Sequence, residues 1–301
     1  MKRIQSRHII RYGLTALLAL AATVALAGNR QVDERAAADA EGTVLIESIA
    51  GSVVVEGWER EEVQVTGTLG DEVEKLKFKA GGSKTRIEVK YPRNTRNMSD
   101  DTHLVIKVPV GSRVEVECIS AHITVTGVAG SVYASSISGD VEVSGDSPIV
   151  AAETISGDVI VDGPARQIAV ESISGTIRAK GGEAEVEAAV VSGKINLEFE
   201  RFLGLEMEAV SGTLSATGDL APGAEIEIEV HSGEVTFTVP ASVSADWRID
   251  TFSGGIDNAF GQKSRKTSEY TPGRELEFTT GDGDARVRIN TFSGSVVIRK
   301  R

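Results

Sequence analysis

The residues best placed to do chemistry in this chain are carboxylates that recur at one spacing. Three positions ahead of a repeated Ser-Gly phrase stand Glu47, Glu117, Glu153, Glu171, Glu208, Glu229 and Asp250, and two positions past the serine stand Asp140 and Asp158. Acids that return at a fixed structural period come to lie beside one another. At strand spacing each such pair repels by about 1 kcal/mol in water. Two chemistries would offset that. Calcium could take oxygens from adjacent copies, with Asp140, Asp158, Glu153 and Glu171 as its ligands; alternatively the acids are solvated and paired with Arg178, Lys194 or Arg248.

Other chemistry finds little support. There is no Gly-x-Ser-x-Gly, His-Glu-x-x-His, Cys-x-x-Cys or phosphate-binding glycine loop. A nucleophilic serine needs a histidine base, and past the first 27 residues only His103, His122 and His231 remain. His231 interrupts an apolar column, which reads as a structural histidine. Asp140, Glu142 and Asp158 near Arg178 imitate the acids and base of β-helix polysaccharide lyases, but no long cleft-forming loop covers them. No catalytic or cofactor-binding residue is therefore assigned. Cys118 is the only cysteine, so no intramolecular disulfide forms; its column otherwise holds small residues, which makes it a packing residue.

What positions these groups is a repeat. Taking the serine slot as marker, copies fall at Ala50, Ser120, Ser138, Ser156, Ser174, Ser192, Ser211, Ser232, Ser253 and Ser293; from Ser120 on there are four steps of 18 residues, then 19, 21, 21 and a final 40. A constant period means one supersecondary unit stacked on itself. Three residues past the marker every copy is aliphatic, from Val53 and Ile123 to Ile256 and Val296, and alternation around that column marks a strand with one buried face. A second strand precedes the marker, with Ser-Gly as the turn between them. Two strands and two corners in 18 residues predict an all-β, single-stranded parallel β-solenoid, or β-helix. Parallel crossovers favour a right-handed coil, although the length also suits a left-handed one.

Composition sets the expected compartment. Lys2, Arg3, Arg7 and Arg11 precede an apolar run from Leu14 to Leu26 that ends in Ala25-Leu26-Ala27, the order of a secretory signal peptide over residues 1–27. The run is shorter than a membrane span needs, so cleavage rather than anchoring is expected. Losing four positive charges takes the formal charge from −12 to −16. So acidic a chain is a poor partner for nucleic acid or an anionic membrane surface.

The rest divides into a polar tether at 28–41, the first copy with an antiparallel cap at 42–113, the Ser-Gly array at 114–258, a basic insertion at 259–288 and a closing coil at 289–301. The insertion gathers Lys263, Arg265 and Lys266 in an otherwise acidic protein, which makes them the candidate partner contact.

The phrases Ile49-Ala50-Gly51-Ser52-Val53 through Gly57-Trp58, Ile137-Ser138-Gly139-Asp140, Ile155-Ser156-Gly157-Asp158, Asn258-Ala259-Phe260-Gly261 and Asn290-Thr291-Phe292-Ser293-Gly294 resemble a bacterial family of adhesin-like proteins, domain of unknown function 4097. That resemblance covers about Gly42 to Arg301. It implies an exported β-strand repeat protein with no established activity, and it supplies no catalytic residue.

The expectation is an exported protein, periplasmic, cell-surface or secreted, that is not an enzyme and presents a rigid acidic surface to a cell-envelope protein, a glycan or, end to end, a second copy. The alternatives are a β-helix carbohydrate-active enzyme and a sensory or regulatory domain of the envelope.

Overall fold

The computed structural model describes residues 30–92, 102–268 and 270–301. The expected signal peptide lies outside them. Within them the chain is all-β, one mixed sheet system of 18 strands. The strands are β1 (Arg30–Ala37), β2 (Thr43–Trp58), β3 (Glu62–Leu69), β4 (Lys75–Gly81), β5 (Lys84–Lys90), β6 (His103–Pro109), β7 (Arg113–Thr126), β8 (Val132–Ser136), β9 (Val141–Ser144), β10 (Ile149–Ser156) and β11 (Val159–Asp162). They continue as β12 (Gln167–Leu220), β13 (Glu225–Val239), β14 (Ala245–Ser253), β15 (Ile256–Asn258), β16 (Arg265–Lys266), β17 (Arg274–Thr280) and β18 (Ala285–Lys300).

Like residues pair with like along the array. β10 lies parallel to β8 and to β12, with Ala152 between Ala134 and Val170, and β11 lies parallel to β9 and β12, with Val159 between Val141 and Ile177. The end of β12 continues into β13 in the same register, Leu214 opposite Val235. The aliphatic column read from sequence is the floor of the core: Val53, Ile123, Val141, Val159, Ile177, Leu214, Val235 and Val296 are fully buried, and only Ile256 is half-buried. Each such side chain contributes roughly 1.5–3 kcal/mol. Toward the carboxyl end the core turns aromatic, through Phe199, Phe202, Phe237, Trp247 and Phe278.

The glycine of the Ser-Gly phrase has a more specific reason than turn geometry. A Cβ built on Gly157 would stand 2.4 Å from the Gly139 carbonyl oxygen; on Gly175, 1.9 Å from that of Gly157; on Gly193, 2.0 Å from that of Gly175. Each glycine thus rests on the carbonyl of the glycine in the copy before it, and any side chain would force the two copies apart. The small column two before the marker seals the same spine: Ser136 Oγ donates to the Ala121 carbonyl, Thr154 Oγ1 to Gly139 and Ser172 Oγ to Gly157, at 3.0–3.3 Å.

At both ends spatial order departs from chain order. β18 pairs in parallel with β13 on one side and with β14 on the other, so the last strand of the chain is not the last in the stack. β14 instead carries the antiparallel β17, against which β16 pairs. At the other end β2 lies between β7 and the parallel strands β5 and β6, and β3 and β4 fold back antiparallel on β6 and β5. Arg30–Ala37, within the stretch whose composition suggests a tether, is the strand β1, antiparallel to β3.

Candidate functional site

Asp140 and Asp158 stand two residues past the marker, just ahead of β9 and β11, in a row between His122 and Thr176. Each is tied to the copy that follows it. The Asp158 N–H donates to Asp140 Oδ1 and the Thr176 N–H to Asp158 Oδ1, both at 2.8 Å, and the Arg178 guanidinium donates to Asp158 Oδ2 at 3.0 Å. Partial burial acts to raise the Asp158 pKa, but the Thr176 N–H and the Arg178 guanidinium outweigh it and hold the carboxyl below its usual range. One oxygen of each acid therefore works as a clip between copies, and the repulsion expected of stacked acids is offset by backbone N–H groups. Among the described residues no group of three His, Cys, Asp or Glu is placed to hold a metal ion.

Further along this polar row, Ser52 Oγ lies 2.9 Å from His103 Nδ1, and His122 Nδ1 lies 3.5 Å from Asp140 Oδ2. The residue types are those of a hydrolase, but His122 is 67% exposed and the row sits on an open outer face. Glu142, also exposed, makes no ion pair among the described residues. Cys118 is buried, and desolvation pushes its thiol up to about 12, so it stays protonated and inert.

The feature that the sequence reading underweighted is the column just before the marker. Ile119, Ile137, Ile155, Ile173, Val191 and Val210 are each 43–53% exposed, and Phe292 and Phe252 are each 51% exposed. In spatial order the ladder runs from Ile119 through Val210 to His231, Phe292 and Phe252. The last three rings stack face to face at centroid distances of 4.9 Å. A groove of about 980 Å³ follows the ladder, and Glu153, Glu171, Glu208, Glu229 and Asp250 line its margin. Glu153 and Glu171, named as calcium candidates, are exposed groove walls distant in register from Asp140 and Asp158.

The signal for this face was present. Residues four and two before the marker point inward, so alternation turns the residues three and one before it outward together. An outward column of large apolar residues across so many copies is what marks a contact surface.

Lys263, Arg265 and Lys266 are all exposed in the insertion beyond β15. Arg265 pairs with Glu275 at 2.8 Å. Gly273 of the same segment lies against the Thr251 and Phe252 backbone, so the insertion leaves the stack at the aromatic end of the groove.

Residues 42–299 match the family model described as Toastrack DUF4097, and the chain belongs to that family. A comparison with curated proteins found no match. Two crystal structures are similar over most of their length: a cell-adhesion candidate of Clostridium sporogenes ATCC 15579 (13% identity, 90% of this chain and 100% of that one, TM-score 0.22) and an adhesin candidate of Bacteroides fragilis NCTC 9343 (10% identity, 89% and 97%, TM-score 0.38). Likeness at these values carries no argument about what this chain does.

Proposed function

We propose that this protein is an exported, non-enzymatic single-stranded β-solenoid, right-handed and closed at its ends by antiparallel strands, that works by contact with another component of the cell envelope. The observation that carries this reading is the apolar ladder from Ile119 to Phe252, held in register by a buried core and left open along its whole length. A monomer seldom leaves so long an apolar strip facing water without a use. The reactive residue types, by contrast, lie on an open face, and Asp158 has both oxygens engaged. The same charge order at residues 1–27 that predicts export supports an extracytoplasmic setting.

The test is adherence. Beads coated with the protein lacking residues 1–27 should bind to cells or envelope fragments, and Ile173→Glu with Val191→Glu should abolish binding while leaving the melting temperature within a few degrees. Adherence unchanged by that pair would remove the ladder from the function, and turnover of an acidic polysaccharide lost on Asp158→Ala would replace the reading with an enzymatic one.

A further inference from the structure

The ladder needs a partner, and its shape and charge narrow the choice. With strand spacing of about 4.8 Å, the steps from Ile119 to Phe252 span about 38 Å. At the aromatic end the rings cover one another's faces, which leaves chiefly edges toward the groove and little of the flat surface on which a sugar ring would stack. The acids along the margin repel anionic membrane surfaces and anionic glycans. What fits is a segment that offers an apolar or aromatic side chain together with nearby cations.

The chain itself displays such a segment. Tyr270 is 94% exposed, the most exposed of the large apolar side chains among the described residues. In the same insertion Lys263 and Lys266 extend into solvent, and neither makes an ion pair among the described residues. In sequence Lys266 stands four residues before Tyr270, with Glu269 next to the tyrosine; tyrosine is a residue type that anchors interfaces, and the lysines supply charge opposite to the groove margin. The insertion does not cover its own ladder, because Phe252, the rung whose backbone Gly273 approaches, remains half exposed.

We infer that the groove receives the Lys263–Tyr270 insertion of a second copy, Tyr270 against the apolar rungs and Lys263 and Lys266 toward Glu171, Glu208 and Glu229. The inference rests on the contact reading above and names the partner of that face. Ladder-to-ladder pairing of antiparallel copies would instead set the two acidic margins against each other. Insertion-to-groove contact is heterologous: a pair leaves one copy's groove and the other copy's insertion unused, so assembly is open-ended. One tyrosine and two lysines make a small contact, with a dissociation constant on the order of 0.1–1 mM.

Sedimentation velocity on the full mature chain tests this. The wild type should grow beyond a dimer as concentration approaches roughly 1 mM, with affinity falling at least about tenfold between low and high salt as the Debye length contracts. Two variants, Ile173→Glu with Val191→Glu and Lys263→Glu with Lys266→Glu and Tyr270→Ala, should each stay monomeric. Mixed together they should form a heterodimer that stops growing, since one contributes an insertion and the other a groove. Thermal melting keeps misfolding apart from lost contact, and Ile173→Gln replaces the groove variant if the double change unfolds.

A wild type that stays monomeric overturns the inference, whether because the insertion folds onto its own groove or because the partner is another molecule. Association that survives the insertion variant overturns it in favour of ladder-to-ladder contact. A mixture that fails to assemble overturns it as well. Ladder-dependent bead adherence by a strictly monomeric protein would leave the contact reading intact and remove only this partner.

Discussion

The imidazole of His231 lies parallel to the phenyl ring of Phe292, with centroids 4.9 Å apart and 1° between their planes. His231 is in β13 and Phe292 in β18, with β14 to β17 between them in the chain, so this stack is the side-chain signature of β18 slotting between β13 and β14. It also accounts for a histidine within an apolar ladder: the ring is flat, stacks as phenylalanine does, and keeps its polar edge in water.

Phe292 touches an aromatic ring on each face. Phe292→Ala should therefore remove two contacts, each worth about 0.5–1.5 kcal/mol. The expected result is a lower melting temperature, while Phe252→Ala, with a ring on one side, should cost about half as much. Equal costs in calorimetry would mean that Phe292 is not held between the two rings.

The clip at Asp158 should show itself at low pH. Its carboxyl is held below the ordinary value, so its contribution is present above the unfolded-state pKa near 4 and is lost as pH falls through the folded value. Asp158→Asn should be destabilising at neutral pH, and the difference from wild type should close as pH drops below about 4. A gap that stays constant down to pH 2 would mean that the charge is not what the clip uses.

Glu206 runs the opposite way. Burial comes first, and then the carboxylates of Glu208, Glu187 and Glu227 push its pKa up. A raised acid stabilises the fold below the unfolded-state pKa, and that contribution is lost as pH rises through the folded value. Glu206→Gln should accordingly raise the melting temperature near neutrality, and the gain should shrink toward about pH 4. No gain at neutral pH would show that solvent and counterions already screen this group.

Gly175→Ala tests the spine. Because the new methyl would collide with backbone rather than with a movable side chain, the two neighbouring copies must separate. A loss of more than about 2 kcal/mol is expected, against a few tenths for Gly182→Ala, where nothing lies within 4 Å. Similar denaturation midpoints for the two variants would count against direct contact between successive copies.

Much of the array was legible because its period is constant: the column containing Val159 and Ile177 could face only inward, and an 18-residue step set Asp158 beside Asp140. The ends were not. Repetition says that Ser232, Ser253 and Ser293 occupy equivalent slots but not which are neighbours, and the 40-residue final step is the segment that runs out through β17 and returns to place β18 inside β14. The outward face of the ladder was not legible for another reason. Ile137 and Ile155 look like core residues by type, and only their phase against Ala134 and Ala152 shows that they face outward.

The swap at each end also makes folding depend on synthesis being complete. A ribosome or an export channel delivers β13 and β14 well before β18, and until β18 arrives the backbone of β13 lacks the neighbour it will finally have. β2 likewise waits for β5, β6 and β7. The molecule thus resembles a zip fastened at both ends only after the whole tape has been paid out: premature termination anywhere before residue 285 leaves an open edge rather than a shorter, finished stack.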